Sequence, residues 1–132
     1  MPYIIDTYAW IEYFRGTETG DRIQSKIDIG GNITPTIVLG ELKKKYVEED
    51  IEGFDEDLRF IKSKSEILPL DEQTAINAGE IRSTIGISGI GIVDCILIAL
   101  SRQLNVKVLT GDSHFQNLDE AEFIENEIED DT

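Results

Sequence analysis

The chain has 132 residues, of which 40% are hydrophobic, and carries 27 acidic against 12 basic side chains. This length suits one domain that buries its own core, and no apolar run reaches the roughly 18 residues of a membrane span. The N-terminus lacks the charged start and long apolar stretch of a signal peptide, so we expect a cytoplasmic protein. The single cysteine, Cys95, excludes an internal disulfide, and with the single histidine, His114, it is too little for a structural zinc site.

The net charge of −15 argues against loose binding to nucleic acid, which usually leaves a basic footprint. Eight acids and no Lys or Arg lie in residues 119–132, which we interpret as an edge strand near 122–125 followed by a flexible, solvated tail. The remaining body has 19 acids against 12 bases. An acidic body can still handle a polyanion where metal ions supply positive charge, and a high-salt intracellular milieu is the alternative explanation.

A short apolar strand, Tyr3–Ile5, opens the chain and leads directly into a helix. Asp6 and Thr7 stand at this junction, where either side chain is able to cap the helix. Trp10 belongs to an apolar stripe at helical spacing that ends near Gly16, so we interpret it as core packing rather than a platform for base stacking. Asp6 is either a plain helix cap or part of a functional site.

Glu41 lies on the mostly apolar face of the third predicted helix. A second helix over residues 18–29 and a brief strand at 32–34 precede it, and Pro35 is predicted in its first helical position. A carboxylate on an apolar face is costly unless it is paired, protonated or bound to a cation. Glu41 is therefore either a border residue that pairs with Lys45 or a functional acid.

The middle of the chain predicts scaffolding, with a helix at residues 54–64 and a short strand at 67–70 near a sheet edge. Asp71 then caps a further helix. We expect the inner side of this helix to include Ala75, Ile76 and Gly79. Arg82 on the same helix is a candidate phosphate contact, and a surface ion pair is the alternative.

Asp94 occupies the first turn of a helix that is apolar on nearly all sides, residues 92–100. Such a helix is expected to be buried against the sheet. The helix N-terminus favours a negative charge, and side chains lean toward that end, so the Asp94 carboxylate should point back toward the strand ends. The glycine-rich loop before it, residues 86–91, lacks the pattern of a P-loop.

The last central strand, residues 106–109, breaks at Thr110 and Gly111 into a polar loop that carries Asp112. Gly111 is expected to allow a sharp turn where the strand ends, and His114 to begin another turn. Asp112 therefore lies at the carboxyl edge of a strand, where open α/β sheets place their ligands.

Short strands alternate with helices along the chain, which predicts an α/β fold. We expect a mainly parallel central sheet with helices on both faces, joined by right-handed crossovers. In that topology Asp6 and Asp112 fall at the carboxyl ends of strands, and Asp94 leads the helix before the Asp112 strand. Three acids on one edge follow from the topology, and Glu41 joins them by inference.

Four converging carboxylates repel one another and raise one another's pKa, so they require protons or cations. Oxygen ligands with no sulfur and little imidazole suit a hard divalent ion such as Mg²⁺ or Mn²⁺. Such an ion lowers the pKa of a bound water for attack on phosphorus, and a second one, if present, stabilises the leaving oxygen. The acids therefore predict metal-assisted hydrolysis of a phosphodiester.

Four stretches carry these acids in a familiar order along the chain. They are Ile5-Asp-Thr-Tyr-Ala-Trp-Ile11, Gly40-Glu41-Leu42, Val93-Asp94 with Ile98-Ala99, and Leu109-Thr-Gly-Asp-Ser-His-Phe115. Together they resemble the PIN-domain nucleases and, within them, the VapC-type toxins of prokaryotic toxin–antitoxin pairs. The similarity extends to about Leu118, which makes residues 1–118 the expected PIN-like nuclease domain and 119–132 a separate acidic segment.

The resemblance implies a catalytic, metal-binding quartet: Asp6, Glu41, Asp94 and Asp112. It also implies that Thr110 orients the fourth acid or a water, and that Thr7 takes the place of the small hydroxyl residue after the first acid. Thr7 and Arg82 are the candidate substrate contacts. The implied activity is RNA cleavage with Mg²⁺ or Mn²⁺, by a homodimer with an antitoxin partner that inserts a peptide toward the site. Tyr8 departs from the family, where many members have a small residue.

Three other functions remain open. A housekeeping RNA-processing nuclease would keep the fold, but such relatives commonly carry extra domains or zinc ribbons, and neither is expected here. A phospho-acceptor signalling domain with an acidic Mg²⁺ pocket would need a second acid beside Asp6 and a lysine after the last central strand, where this chain has Thr7 and Thr110-Gly111. A non-catalytic binding module would use the fold alone, against which the intact acids speak.

Overall fold

The computed structural model describes residues 2–125, in which five parallel strands form one sheet with six α-helices around it. The strands are β1 (Tyr3–Ile5), β2 (Asn32–Pro35), β3 (Ser65–Leu68), β4 (Lys107–Thr110) and β5 (Ala121–Phe123). The helices are α1 (Thr7–Arg15), α2 (Glu18–Ile27), α3 (Thr36–Glu48), α4 (Phe54–Lys64), α5 (Glu72–Thr84) and α6 (Ile92–Leu104). A single 3-10 turn, Ser113–Phe115, follows β4. The predicted flexible tail falls on residues 126–132, outside the described part of the chain.

The strand order is β3-β2-β1-β4-β5, and each neighbouring pair is parallel. The predicted α/β fold is therefore confirmed, with β3 and β5 at the two edges. The chain builds outward from β1 through β2 to β3 and then crosses back to β4 beside β1. Ligands of open α/β sheets bind at such a switch point, outside the carboxyl ends of the strands.

The register of β1 and β4 decides where the predicted site residues lie. Ile5 is paired with Leu109, so Asp6 and Thr110 follow as the next positions on adjacent strands. Both paired side chains are completely buried, and burial of such large apolar groups stabilises the fold by about 1.5–3 kcal/mol each. The core thus fixes the positions of the residues that follow these two strands.

Trp10 is completely buried, as the apolar stripe of α1 predicts. Its Nε1 donates a hydrogen bond to Thr34 Oγ1 at 3.0 Å, which satisfies the indole N–H inside the core and ties α1 to β2. The predicted packing role of Trp10 is confirmed. Cys95, on the apolar α6, is likewise completely buried.

The ends of several elements follow local capping chemistry. Asp6 caps α1 by accepting a hydrogen bond from the Ala9 N–H at 2.8 Å, and Gly16 ends that helix in the left-handed region at φ 70°. Asn105 ends α6 in the same way at φ 54°. Pro35 differs from the prediction, because it is the last residue of β2 and caps α3 in an extended conformation.

The inner side of α5 differs from the prediction. Its buried residues are Thr74, Ala78 and Ile81, whereas Ile76 is 58% exposed. Packing against α6 selects this face, since the Thr74 hydroxyl donates to Gln103 Oε1 on α6 at 2.8 Å. Apolar residues occur on more than one side of α5, so its sequence does not favour one face. No helix within residues 2–125 has both the length and the apolar character that crossing a bilayer needs.

Gly111 is required by close packing rather than by backbone conformation. Gly111 is not among the glycines of residues 2–125 that have a positive φ. A Cβ at this position would lie 2.3 Å from Tyr8 Cε1 and 2.8 Å from the Ile124 carbonyl oxygen. Glycine therefore allows the Tyr8 ring of α1 and the chain after β5 to pack directly on the loop that carries Asp112.

We expect Gly111→Ala to destabilise the protein by about 1–3 kcal/mol, because the new methyl group has no space between a ring and a backbone carbonyl. Gly40→Ala is the matched control, since a Cβ at this helical position meets nothing within 4 Å. Alanine should be neutral or stabilising there, by up to about 1 kcal/mol. Thermal denaturation of both variants in EDTA measures the difference, and equal melting temperatures would contradict the packing role of Gly111.

Candidate active site

One cleft of about 400 Å³ at the carboxyl end of the sheet is lined by all four predicted acids. Asp6 follows β1, Glu41 lies on α3, Asp94 lies in the first turn of α6, and Asp112 follows β4. The structure therefore brings together the three acids that the topology predicted and also Glu41, which had been placed by inference. Because the four elements end or begin at one sheet edge, carboxylates distant in sequence share one cavity.

Asp6 is the most buried of the four acids, with 5% of its surface exposed. The pKa of Asp6 is raised to about 7, mainly by burial and also by the charges of Asp112 and Asp94. Hydrogen bonds from the Thr110 hydroxyl and the Ala9 N–H act in the opposite direction. The carboxyl group therefore retains a proton up to near-neutral pH when no cation is bound. A cation near Asp6 would release that proton.

Thr110 links the first acid to the fourth. Its side chain is completely buried, its Oγ1 accepts a hydrogen bond from the Asp112 N–H at 3.0 Å, and its hydroxyl donates to the Asp6 carboxylate. A hydroxyl group suits this place because it donates and accepts at the same time. Thr110 thereby fixes the backbone at Asp112 and the carboxylate of Asp6 relative to each other.

Glu41 is held by Thr7, whose hydroxyl donates to Glu41 Oε1 at 2.6 Å. This bond joins the start of α1 to α3 across the cleft. Lys45, the alternative partner for Glu41, instead places its Nζ 2.6 Å from Glu49 Oε2. Thr7 therefore orients an acid of the cleft, which is a positioning role that the sequence had not suggested.

Asp94 and Asp112 share a contact with His114. The His114 Nδ1 lies 3.2 Å from Asp94 Oδ2 and 3.1 Å from Asp112 Oδ1. Burial and then the charge of Asp112 raise the pKa of Asp94, whereas the His114 contact lowers it. The predicted turn at His114 is present as the 3-10 turn. The backbone N–H of His114 donates to Asp112 Oδ1 at 2.9 Å.

Sequence reasoning missed Glu12, a fifth acid of the cleft that is only 4% exposed. Its Oε2 lies 3.1 Å from Arg15 Nη1, so the buried charge is paired. The signal was present in the sequence, because Glu12 interrupts the apolar run of α1 just as Asp94 interrupts that of α6. Arg15 and Lys45 also line the cleft and had not been singled out as site residues.

Arg82 lies elsewhere. It is exposed on α5 and is not among the described residues that line the cleft. Its charge lowers the pKa of the Cys95 thiol, whereas burial and then the charge of Asp94 raise that pKa. The substrate contact at Arg82 stays a prediction.

The cleft fits a divalent cation by the chemistry of its donors. Among the described residues that line it, five are acids and two are bases, and each base is paired with an acid, Arg15 with Glu12 and Lys45 with Glu49. The remaining carboxylates are therefore left with an excess of negative charge, and Asp6 carries a raised pKa for that reason as well as for its burial. Oxygen donors with one imidazole nearby suit Mg²⁺ or Mn²⁺.

We expect Asp6→Asn to stabilise the metal-free protein in a pH-dependent way. Because the folded-state pKa of Asp6 lies above its unfolded value of 3.8, the stability that its proton contributes is present below that value and is lost as pH rises toward 7. The advantage of the amide over the carboxylate should therefore grow from about pH 4 to about pH 8, by at most roughly 4 kcal/mol. Urea denaturation in EDTA at a series of pH values measures it.

Asp71→Asn is the matched control, since Asp71 caps α5 with the same 2.8 Å hydrogen bond, from the Thr74 N–H, but is exposed. That bond lowers the pKa of Asp71, so its stabilising effect is present above the unfolded pKa and is lost as pH falls. At neutral pH, Asp6→Asn should therefore stabilise the protein and Asp71→Asn should destabilise it. The same sign and the same pH dependence in both would refute the burial of charge at Asp6.

Solved structures with similar folds come from toxin–antitoxin systems. DNA-bound VapBC from Salmonella typhimurium is 22% identical with a TM-score of 0.67, covering 92% of this chain and 95% of that one. VapBC2 from Rickettsia felis, bound to a DNA fragment of its promoter, is 18% identical with a TM-score of 0.70, covering 92% and 96%. VapC20 from Mycobacterium tuberculosis, described as a sarcin-ricin loop cleaving toxin, is 13% identical with a TM-score of 0.67, covering 81% and 85%.

These likenesses establish the fold, and the family follows from the sequence. Among curated proteins, no sequence matches this chain significantly. The PIN domain family matches residues 3–121, a range that contains all four acids of the cleft together with Thr7 and Thr110. The chain therefore belongs to the PIN domain family.

Proposed function

We propose that this protein is a metal-dependent endoribonuclease and the toxin of a type II toxin–antitoxin system. The observation that carries the proposal is the single cleft in which Asp6, Glu41, Asp94 and Asp112 meet. Membership of the PIN domain family supports a nuclease. The toxin function is supported by neighbours of the same fold that are toxin–antitoxin complexes and, in VapC20, a sarcin-ricin loop cleaving toxin.

The four acids are the residues that would hold the metal ion. When bound, Mg²⁺ or Mn²⁺ would supply a water of lowered pKa for attack on phosphorus and positive charge for the phosphate. Asp6 enters this arrangement already fixed by its two hydrogen bonds, from the Ala9 N–H and the Thr110 hydroxyl. The hydrogen bond from the Thr7 hydroxyl likewise fixes the carboxylate of Glu41. Preorganised acids contribute to catalysis because no side-chain freedom has to be lost when the substrate binds.

Arg15 and Lys45 are the basic side chains that we assign to the RNA backbone. They line the same cleft as the acids, where Arg15 is paired with the buried Glu12 and Lys45 with Glu49. A phosphate can bind either base beside its carboxylate, since a guanidinium carries five N–H donors and an ammonium three. In a chain with a net charge of −15, these two bases offer the cleft its positive charge toward RNA.

We expect Lys45→Ala to raise KM for RNA severalfold while leaving kcat nearly unchanged, and to make KM less dependent on salt because one phosphate contact is lost. Lys44→Ala is the matched control. Lys44 pairs with Glu48 just as Lys45 pairs with Glu49, in both cases four residues along the chain. The Lys44 side chain is 72% exposed, and Lys44 is not among the described residues that line the cleft. Equal KM values for the two variants would exclude Lys45 from RNA binding.

We expect purified protein to cleave a labelled RNA pool with Mg²⁺ or Mn²⁺ but not with EDTA, and Asp94→Asn to reduce the rate by at least about 100-fold. Glu72→Gln is the control, since it neutralises an exposed acid in the first turn of α5 just as the test neutralises one in the first turn of α6. Gel analysis of the products under single-turnover conditions measures the rate. Cleavage that persists in EDTA or in folded Asp94→Asn would overturn the proposal.

We further propose that the protein acts in the cytoplasm as a homodimer and is inhibited by an antitoxin protein. The support is the family resemblance together with the VapBC complexes, whose toxin-like fold this chain shares over 92% of its length. Expression of the chain alone should arrest growth, and co-expression of a small gene directly upstream should restore it. Growth unaffected by expression of active enzyme would favour a housekeeping nuclease instead.

A further inference from the structure

His114 is the single histidine of the chain, and its ring nitrogen lies between two acids of the cleft. The Nδ1 atom is 3.2 Å from Asp94 Oδ2 and 3.1 Å from Asp112 Oδ1. Only the Asp94 contact has the geometry of a hydrogen bond, so a hydrogen bond does not account for the approach of Nδ1 to Asp112. The arrangement of all three atoms therefore needs a further explanation.

The distances match those between neighbouring ligands of one metal ion. Ligands about 2.0–2.1 Å from an octahedral ion and at right angles are about 3 Å apart, by the geometry that Mg²⁺ requires. One donor atom from each of Asp94, Asp112 and His114 lies within 4.8 Å of the others. An ion placed among them would satisfy both carboxylates and the nitrogen lone pair at once.

The fold holds the His114 ring in this position from two sides. On one side, the backbone N–H of His114 donates to Asp112 Oδ1 at 2.9 Å, and the following residue, Phe115, is completely buried. On the other side the loop before α6 backs the ring, since a Cβ at Gly89 would lie 3.3 Å from His114 Nε2. These contacts limit rotation of the ring and keep Nδ1 toward the two acids.

We propose that His114 Nδ1 is a metal ligand beside Asp94 and Asp112, and that this mixed nitrogen and oxygen set makes the site favour Mn²⁺ over Mg²⁺. The inference rests on the proposed function, because it concerns the same metal site. Its reason is ligand chemistry: Mg²⁺ takes oxygen ligands, whereas transition metals also take imidazole nitrogen. The four-acid quartet alone carries no such preference, so the selectivity belongs to this histidine.

Pulsed EPR of the Mn²⁺-loaded protein tests the ligand directly, without a measurement of activity. Because the chain has one histidine, any imidazole nitrogen coupled to Mn²⁺ in untagged protein must be His114. We expect a directly bound ¹⁴N coupling that changes to the ¹⁵N pattern after labelling with ¹⁵N-histidine. Calorimetry should show tighter binding of Mn²⁺ than of Mg²⁺, with the preference reduced about tenfold in His114→Asn.

Ser113→Ala is the control for the calorimetry, since it changes an exposed side chain of the same 3-10 turn. Bound Mn²⁺ without nitrogen coupling would overturn this inference and leave the proposed nuclease intact. Tighter metal binding by His114→Asn would overturn it too, because His114 would then be a competing positive charge. Failure of the wild type to bind either ion would overturn both proposals. If His114→Asn does not fold, the labelled wild-type spectrum alone decides.

Discussion

The site depends on the parallel pairing of β1 with β4. That register sets Asp6 beside Thr110, and the Thr110 hydroxyl then bonds to the Asp6 carboxylate and to the backbone of Asp112. The strands that position these residues are among the most buried parts of the molecule. The acids of the cleft therefore inherit their positions from the core, and helices α3 and α6 add Glu41 and Asp94 to an edge that already exists.

Concentrated negative charge opposes this arrangement. Burial raises the pKa of Asp6 to about 7, and raises that of Asp94, because neither carboxylate is fully compensated by the residues around it. The apolar core tolerates the penalty, as proteins commonly tolerate destabilising groups at functional sites. A site that is unfavourable without a cation and favourable with one couples stability to metal binding. The acidic cleft thus makes physical sense as a metal centre, in agreement with the proposed function.

Where local chemistry decides, the prediction agrees with the structure. The Asp6 cap, the end of α1 at Gly16 and the apolar α6 each depend on neighbours within a few residues. Where a partner distant in sequence decides, the prediction shifts. Strand β3 begins at Ser65, two residues before its predicted start, because it pairs with β2 in the register of Asn32 with Ser65. The inner face of α5 is likewise selected by α6.

The sequence by itself determined the α/β class, the order of its elements and the four acids that line the cleft, since periodicity, caps and acids in apolar runs are local signals. Only the tertiary structure decided which other residues join them. Glu12 and Lys45 line the cleft, and His114 contacts two of its acids. Arg82 is not among the described residues that line it. Side chains that meet across elements are set by strand register and helix packing, and these depend on contacts between residues far apart in the chain.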